Sequence, residues 1–207
     1  MLKRMYGRLL ITLLVVTGLA GTVNDSSISK KERKASMALM KDTKAEVIKS
    51  VKDLSDAQLN FKASPDKWSV KECVYHIAIS EKNLWSFFEG TMKAPANPEK
   101  RSEVKMTDEQ IVKIIEDRST KVKTMESFEP KNTPFQSLDE ALADFKTKRA
   151  DHQKYMKSST EDMRNHVVQM PFGWIDCYQM TLFISAHTNR HTQQINEVKA
   201  GPGFPQK

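Results

Sequence analysis

The sequence predicts an all-α fold, a bundle of amphipathic helices, on three observations. Five segments carry apolar residues at helical spacing. Four of them open on Ser, Thr or Asp with Glu or Gln three residues on, the signature of a capped helix start. The chain holds only 7 Gly and 8 Pro in 207 residues, with 39% hydrophobic and 29% charged residues. That is the profile of a helix-rich globular domain rather than a disordered or fibrous chain, and the length supports one domain with a real core.

The first residues stand apart. Lys3, Arg4 and Arg8 precede the uncharged run LLITLLVVTGLA from Leu9 to Ala20. A basic start followed by about a dozen apolar residues fits a secretory signal peptide and is short for a membrane span. Residues 1–20 are therefore expected to be cleaved after Ala20; an uncleaved N-terminal anchor is the alternative. No cysteine lies nearby, which excludes a lipoprotein anchor. Either way the folded part is expected outside the cytoplasm, periplasmic or secreted. The formal net charge is +7, of which this segment supplies three, leaving +4. Basic and acidic residues alternate along the helices, and no basic groove is interleaved with aromatics, so nucleic acid is not an expected partner.

Residues 21–29 read as a polar linker, and the helical domain as 30–201. The first helix is expected from about Lys30 to Phe61, with Met37, Met40, Val47, Ile48, Val51, Leu54 and Leu59 on its apolar stripe. Ala63-Ser64-Pro65 breaks it. Ser69 with Glu72 caps the second, whose core face carries Val70, Cys73, Val74, Ile77, Leu84, Phe87 and Phe88, and Gly90 closes it. Residues 91–106 form a charged, Pro-containing connection suited to a crossover along a bundle. Thr107 with Gln110 opens a third helix reaching toward Pro130, with Ile111, Ile114, Ile115, Val122 and Met125 inward. Ser137 with Glu140 opens a fourth, with Leu138, Leu142, Phe145 and Tyr155 inward. A less regular stretch leads through Pro171-Phe172-Gly173-Trp174 to Asp176, which caps the last helix with Gln179; Gly201-Pro202-Gly203 ends it.

That last helix carries the functional signal. Its apolar stripe runs Met180, Phe183, Ile184, His187, His191, Ile195, Val198, so two histidines stand where Leu or Ile belongs. Residues four apart stack on one helix face, so both imidazoles point at the core. Buried imidazoles need a partner, and two stacked ones can share a metal ion. His76, at the edge of the second helix's apolar face, is the natural third ligand. Three neutral imidazoles leave a coordination position open, as in a catalytic site. Zn is the default ion for such donors, with Ni and Fe as alternatives. Each ring needs a group on its other nitrogen. Glu72, one turn before His76, is the candidate for this, though it serves equally well as a capping acid only. His152, between Arg149, Asp151 and Lys154, reads as a surface residue, and His166 as a loop or capping residue.

Trp68-Ser69 and Glu72 leading to His76 and Glu81, the run His187-Thr188-Asn189-Arg190-His191 with Gln194-Ile195, and the Pro171–Trp174 turn together resemble the DinB/YfiT-like superfamily. The resemblance covers about residues 30–200. It implies a four-helix bundle of DinB/YfiT type with a long crossover after the second helix. It also implies a metal held by His76, His187 and His191. Some relatives are metal-dependent thiol transferases or isomerases using low-molecular-weight thiols. Their cytosolic setting differs from that of a chain with a leader.

Cys73 and Cys177 are the only cysteines. With the three histidines level, Cys73 lies ~4.5 Å along its helix from that level and Cys177 ~18 Å along its own. The gap of at least ~13 Å exceeds the ~7 Å limit for a disulfide, so both are expected free and buried. The expectation is thus an exported three-histidine metalloprotein with hydrolase or thiol-transferase chemistry. Trp68 and Arg190 would line its pocket and a small molecule would be its substrate. Neither stable membrane association after cleavage nor nucleic acid is expected, and a homodimer is allowed. The rival is a non-catalytic helical binding module whose histidines form only a hydrogen-bonded core.

Overall fold

The computed structural model describes residues 28–206. The leader and most of the linker lie outside the described residues. Six α-helices follow in order: α1 Lys30–Val51, α2 Asp56–Asn60, α3 Val70–Lys93, α4 Asp108–Glu116, α5 Leu138–Ser158 and α6 Cys177–Ala200. The four long ones, α1, α6, α3 and α5, follow one another around a bundle, and α4 packs on the outside of α6. The connection between α3 and α5 is the long crossover, and it holds α4 and three short 3-10 turns.

The caps were readable and the ends less so. Ser69 and Glu72, and Thr107 and Gln110, form reciprocal capping boxes. Ser137 caps α5 and Asp176 caps α6, but there the residue three further on sends its side chain elsewhere, Glu140 to the Gln136 amide and Gln179 to the Met106 carbonyl. α1 stops at Val51, not at Phe61. Asp53 takes a left-handed conformation (φ 58°) that a short polar side chain tolerates, and a second box, Ser55 with Gln58, starts the separate turn α2. The break lets Leu54 and Leu59 fold back against the start of α3. α3 runs past Gly90 and ends at Lys93, because Ala94, the residue before Pro95, is pushed to extended backbone.

α4 ends at Glu116, well short of the expected Pro130. Ile111 is buried, whereas Ile114, Val122 and Met125 are 49%, 74% and 69% exposed, and Phe87 on α3 is also exposed. Beyond Asp117 the run Thr120-Lys121-Val122-Lys123-Thr124 is rich in β-branched residues that lose rotamer freedom in a helix. A better partner holds the chain there: Arg190 of α6 donates to the carbonyls of Ile115, Asp117 and Thr120. Residues 117–128 thus cross the bundle as an irregular strap.

The less regular stretch is a β-hairpin. Strands β1 Val167–Met170 and β2 Gly173–Asp176 pair antiparallel, with Met170 opposite Gly173 across the two residues Pro171 and Phe172. Gly173 has φ +131°, a conformation other residues rarely adopt. Strands this short show too few alternations for their period to be read from sequence. β2 runs straight into α6, and its last residue, Asp176, caps that helix while accepting from Arg101 and Arg164. Arg164 also pairs with Asp108 and Glu32, tying α1, α4 and α6 together at this end.

Candidate metal centre

The three histidines meet. His76 comes from the first half of α3, His187 and His191 from successive turns of α6, and a donor atom from each lies within 4.8 Å of the others. His76 and His187 face each other through their Nε2 atoms at 3.4 Å. The rings of His76 and His191 stand with centroids 4.1 Å apart, nearly edge to face. His76 and His191 are buried and His187 is half-buried.

Hydrogen bonds on the far side of two rings decide which nitrogen is available. His76 Nδ1 lies 2.7 Å from the Phe128 carbonyl, which can only accept, so Nδ1 carries the proton and the Nε2 lone pair is free. His191 Nδ1 donates in the same way to Gln194 Oε1 at 2.9 Å. Burial pulls the His76 pKa down to about 4, against a smaller upward pull from the Phe128 carbonyl. It pulls His187 and His191 well below the ordinary histidine value, and each is lowered further by the charge a neighbouring imidazole would carry. All three are therefore neutral near pH 7, the state a metal requires.

The surroundings differ in part from what the sequence led us to expect. Trp68 does lie against the cluster, its ring 4.9 Å from His76 and 5.9 Å from His191, stacked on the latter. Glu72 does not reach His76: it accepts from the Ser69 amide at 2.8 Å and pairs with Lys62 at 2.8 Å. The group behind His76 is a backbone carbonyl of the strap, which no side-chain motif could reveal. Arg190 spends its hydrogen bonds on strap carbonyls, though its charge still reaches His187.

His152 is the clearest correction. It is buried, not on the surface, with Nδ1 2.6 Å from Glu81 Oε1 and its ring stacked on Trp85 at 3.8 Å. Beside it Arg149, fully buried, forms a two-pronged pair with Glu81 at 2.7 and 2.6 Å. Arg149 also donates to Thr43, to the Met40 carbonyl and to Thr188, the neighbour of His187. Burial raises the Glu81 pKa, but Arg149 and His152 outweigh it and hold it below the ordinary value. The signal was present in the spacing Leu142, Phe145, Arg149, His152, Met156, an apolar stripe with two polar substitutions, as in α6. His166 fits its loop reading, its two ring nitrogens lying 2.8 and 3.1 Å from the Asp162 and Ala94 carbonyl oxygens. Both cysteines are free and buried, with thiols pushed up to about 12 by burial.

The donor set suits a divalent ion. Two nitrogens ~2.1 Å from one tetrahedral ion sit ~3.4 Å apart, the separation found between His76 and His187. Three imidazoles and no carboxylate favour a borderline metal over calcium or magnesium.

Known proteins resemble this chain in sequence or in fold. YuaE of Bacillus subtilis (strain 168), described as uncharacterized, is 26% identical over 165 residues, covering 79% of this chain and 96% of its own. YfiT from Bacillus subtilis, described as a probable metal-dependent hydrolase with an unusual four-helix bundle topology, superposes with a TM-score of 0.58 at 17% identity, over 86% of this chain and 92% of its own. That likeness shows the fold. The family model of the DinB superfamily matches residues 39–195, from within α1 to within α6 and across all three histidines, and the chain belongs to that superfamily.

Proposed function

We propose that this protein is a divalent-metal-dependent hydrolase whose ion is held by His76, His187 and His191. One observation carries the reading: three imidazoles, kept neutral by burial, bring donor atoms within 4.8 Å of one another from two helices, two of them with their far nitrogens already engaged. When bound, a divalent cation supplies Lewis acidity and activates water near neutral pH. The chain's part is to hold and shield. The Phe128 carbonyl fixes the His76 tautomer, Gln194 fixes that of His191, and Trp68 covers both rings. A small substrate would approach on the side of His187, the least buried of the three. YfiT's description as a probable metal-dependent hydrolase supports the choice of reaction. Neither Cys73 nor Cys177 offers a thiolate at neutral pH, so the protein's own sulfur is not the nucleophile. Zinc is the proposed ion, on donor type.

Elemental analysis of tag-free protein tests this. We expect about one zinc, nickel or iron per chain, lost in His187→Ala, and ester or amide hydrolysis that disappears with it. A stoichiometrically metal-free protein, unchanged by chelator, supports the non-catalytic module and ends the metal reading. Export is part of the proposal and rests on Lys3, Arg4, Arg8 and the Leu9–Ala20 run. N-terminal sequencing of protein recovered from the cell exterior should begin at Gly21. No helix among the described residues is long and apolar enough to cross a membrane.

A further inference from the structure

Ser80 lies one turn after His76 on α3, 1% exposed, with its Oγ 3.4 Å from His76 Nε2. That contact is long for a hydrogen bond and sets it apart from most other buried hydroxyls of these helices. Thr43, Ser50, Thr181, Ser185, Thr188 and Thr192 each turn back and donate to a carbonyl three or four residues earlier on their own helix. Ser80 does not; among the described residues its only hydrogen-bond partner is His76 Nε2, the nitrogen that His76 turns toward the cluster. Because His76 Nδ1 is committed to Phe128, Nε2 is the nitrogen left for a metal. Once it serves as a ligand, its lone pair no longer accepts, and the buried Ser80 hydroxyl is released to donate to another acceptor.

From this geometry we infer that Ser80 is a further residue of the three-histidine site, donating a hydrogen bond to a negatively charged oxygen ligand at the exchangeable position of the ion. It contributes recognition of that oxygen, whether from a carboxylate substrate or from a hydrolysis product, and takes no part in holding the metal. The inference rests on the metal reading above and deepens it.

The test uses the purified protein loaded with Co²⁺, whose visible absorption reports ligand exchange, titrated with acetate. Co²⁺ affinity should be the same in the unsubstituted protein, Ser80→Ala and Ser80→Thr. Acetate should bind roughly tenfold more weakly to Ser80→Ala, the loss of one charge-assisted hydrogen bond. Ser80→Thr, which keeps a hydroxyl, should restore most of that loss. Equal acetate affinity in Ser80→Ala and the unsubstituted protein overturns the inference and leaves the metal site standing. So does an absence of any spectral response to acetate, or a loss of Co²⁺ affinity in Ser80→Ala. Failure of the unsubstituted protein to bind Co²⁺ removes the metal reading and this inference together.

Discussion

His76, His187 and His191 owe their neutrality to burial, and the same burial makes the metal-free protein sensitive to acid. The His76 pKa falls from the ordinary 6.5 to about 4, and the other two fall well below 6.5. A lowered value means that the unfolded chain binds protons first as pH drops. Stability is therefore fully present above pH ~6.5, declines as pH falls through the window toward pH ~4, and His76 alone accounts for about 3 kcal/mol across it. Urea unfolding of chelator-treated protein at several pH values should show this slope; a flat profile would contradict the burial argument. Glu81, also lowered, adds loss in the same direction but only below its unfolded value near 4.5. The cysteines give a second check at this scale. Buried and unpaired, they should react with a thiol reagent only after denaturation, and reductant should leave the melting temperature unchanged.

At the scale of elements, the Glu81–Arg149 pair decides how α3, α5, α1 and α6 sit against one another. Arg149 reaches Glu81 on α3, Thr43 on α1 and Thr188 on α6, all from α5. Removing one partner leaves a buried charge alone, so Arg149→Met should cost about 3–5 kcal/mol in urea unfolding. Glu81→Gln combined with Arg149→Met should cost clearly less than the sum of the two single changes, because the double variant leaves no such charge. Additive costs would show that the pair does not act as a unit. The strap offers a contrast. Arg190→Ala frees the carbonyls of Ile115, Asp117 and Thr120 and should speed amide exchange across residues 117–128 more than in α3 or α6. Helix starts were legible here because a capping box is a local device written in four residues. Helix ends were not. The α4 end depends on Arg190, more than seventy residues away, and the α1 end on the fold-back of Leu54 and Leu59 onto α3.

For the whole molecule, metal and fold are linked, since an ion bound only by the folded bundle stabilises it. A metal held at about a thousand times its dissociation constant adds ~4 kcal/mol. Chelation should lower the melting temperature of the unsubstituted protein, and His187→Ala should melt at one temperature with or without metal. By itself the sequence determined the class of fold, the placement of most helix starts and the pattern that puts His187 and His191 on one inward face. Each of these follows from spacing along a single helix or from the reach of one. Only the tertiary structure decided that His76 meets them, that a strap carbonyl and not Glu72 lies behind it, that Ser80 faces the cluster, and that Arg149 and His152 are core residues. Those outcomes depend on which residue a neighbouring helix brings opposite, and a buried charge becomes tolerable only when its partner, distant in the chain, arrives beside it.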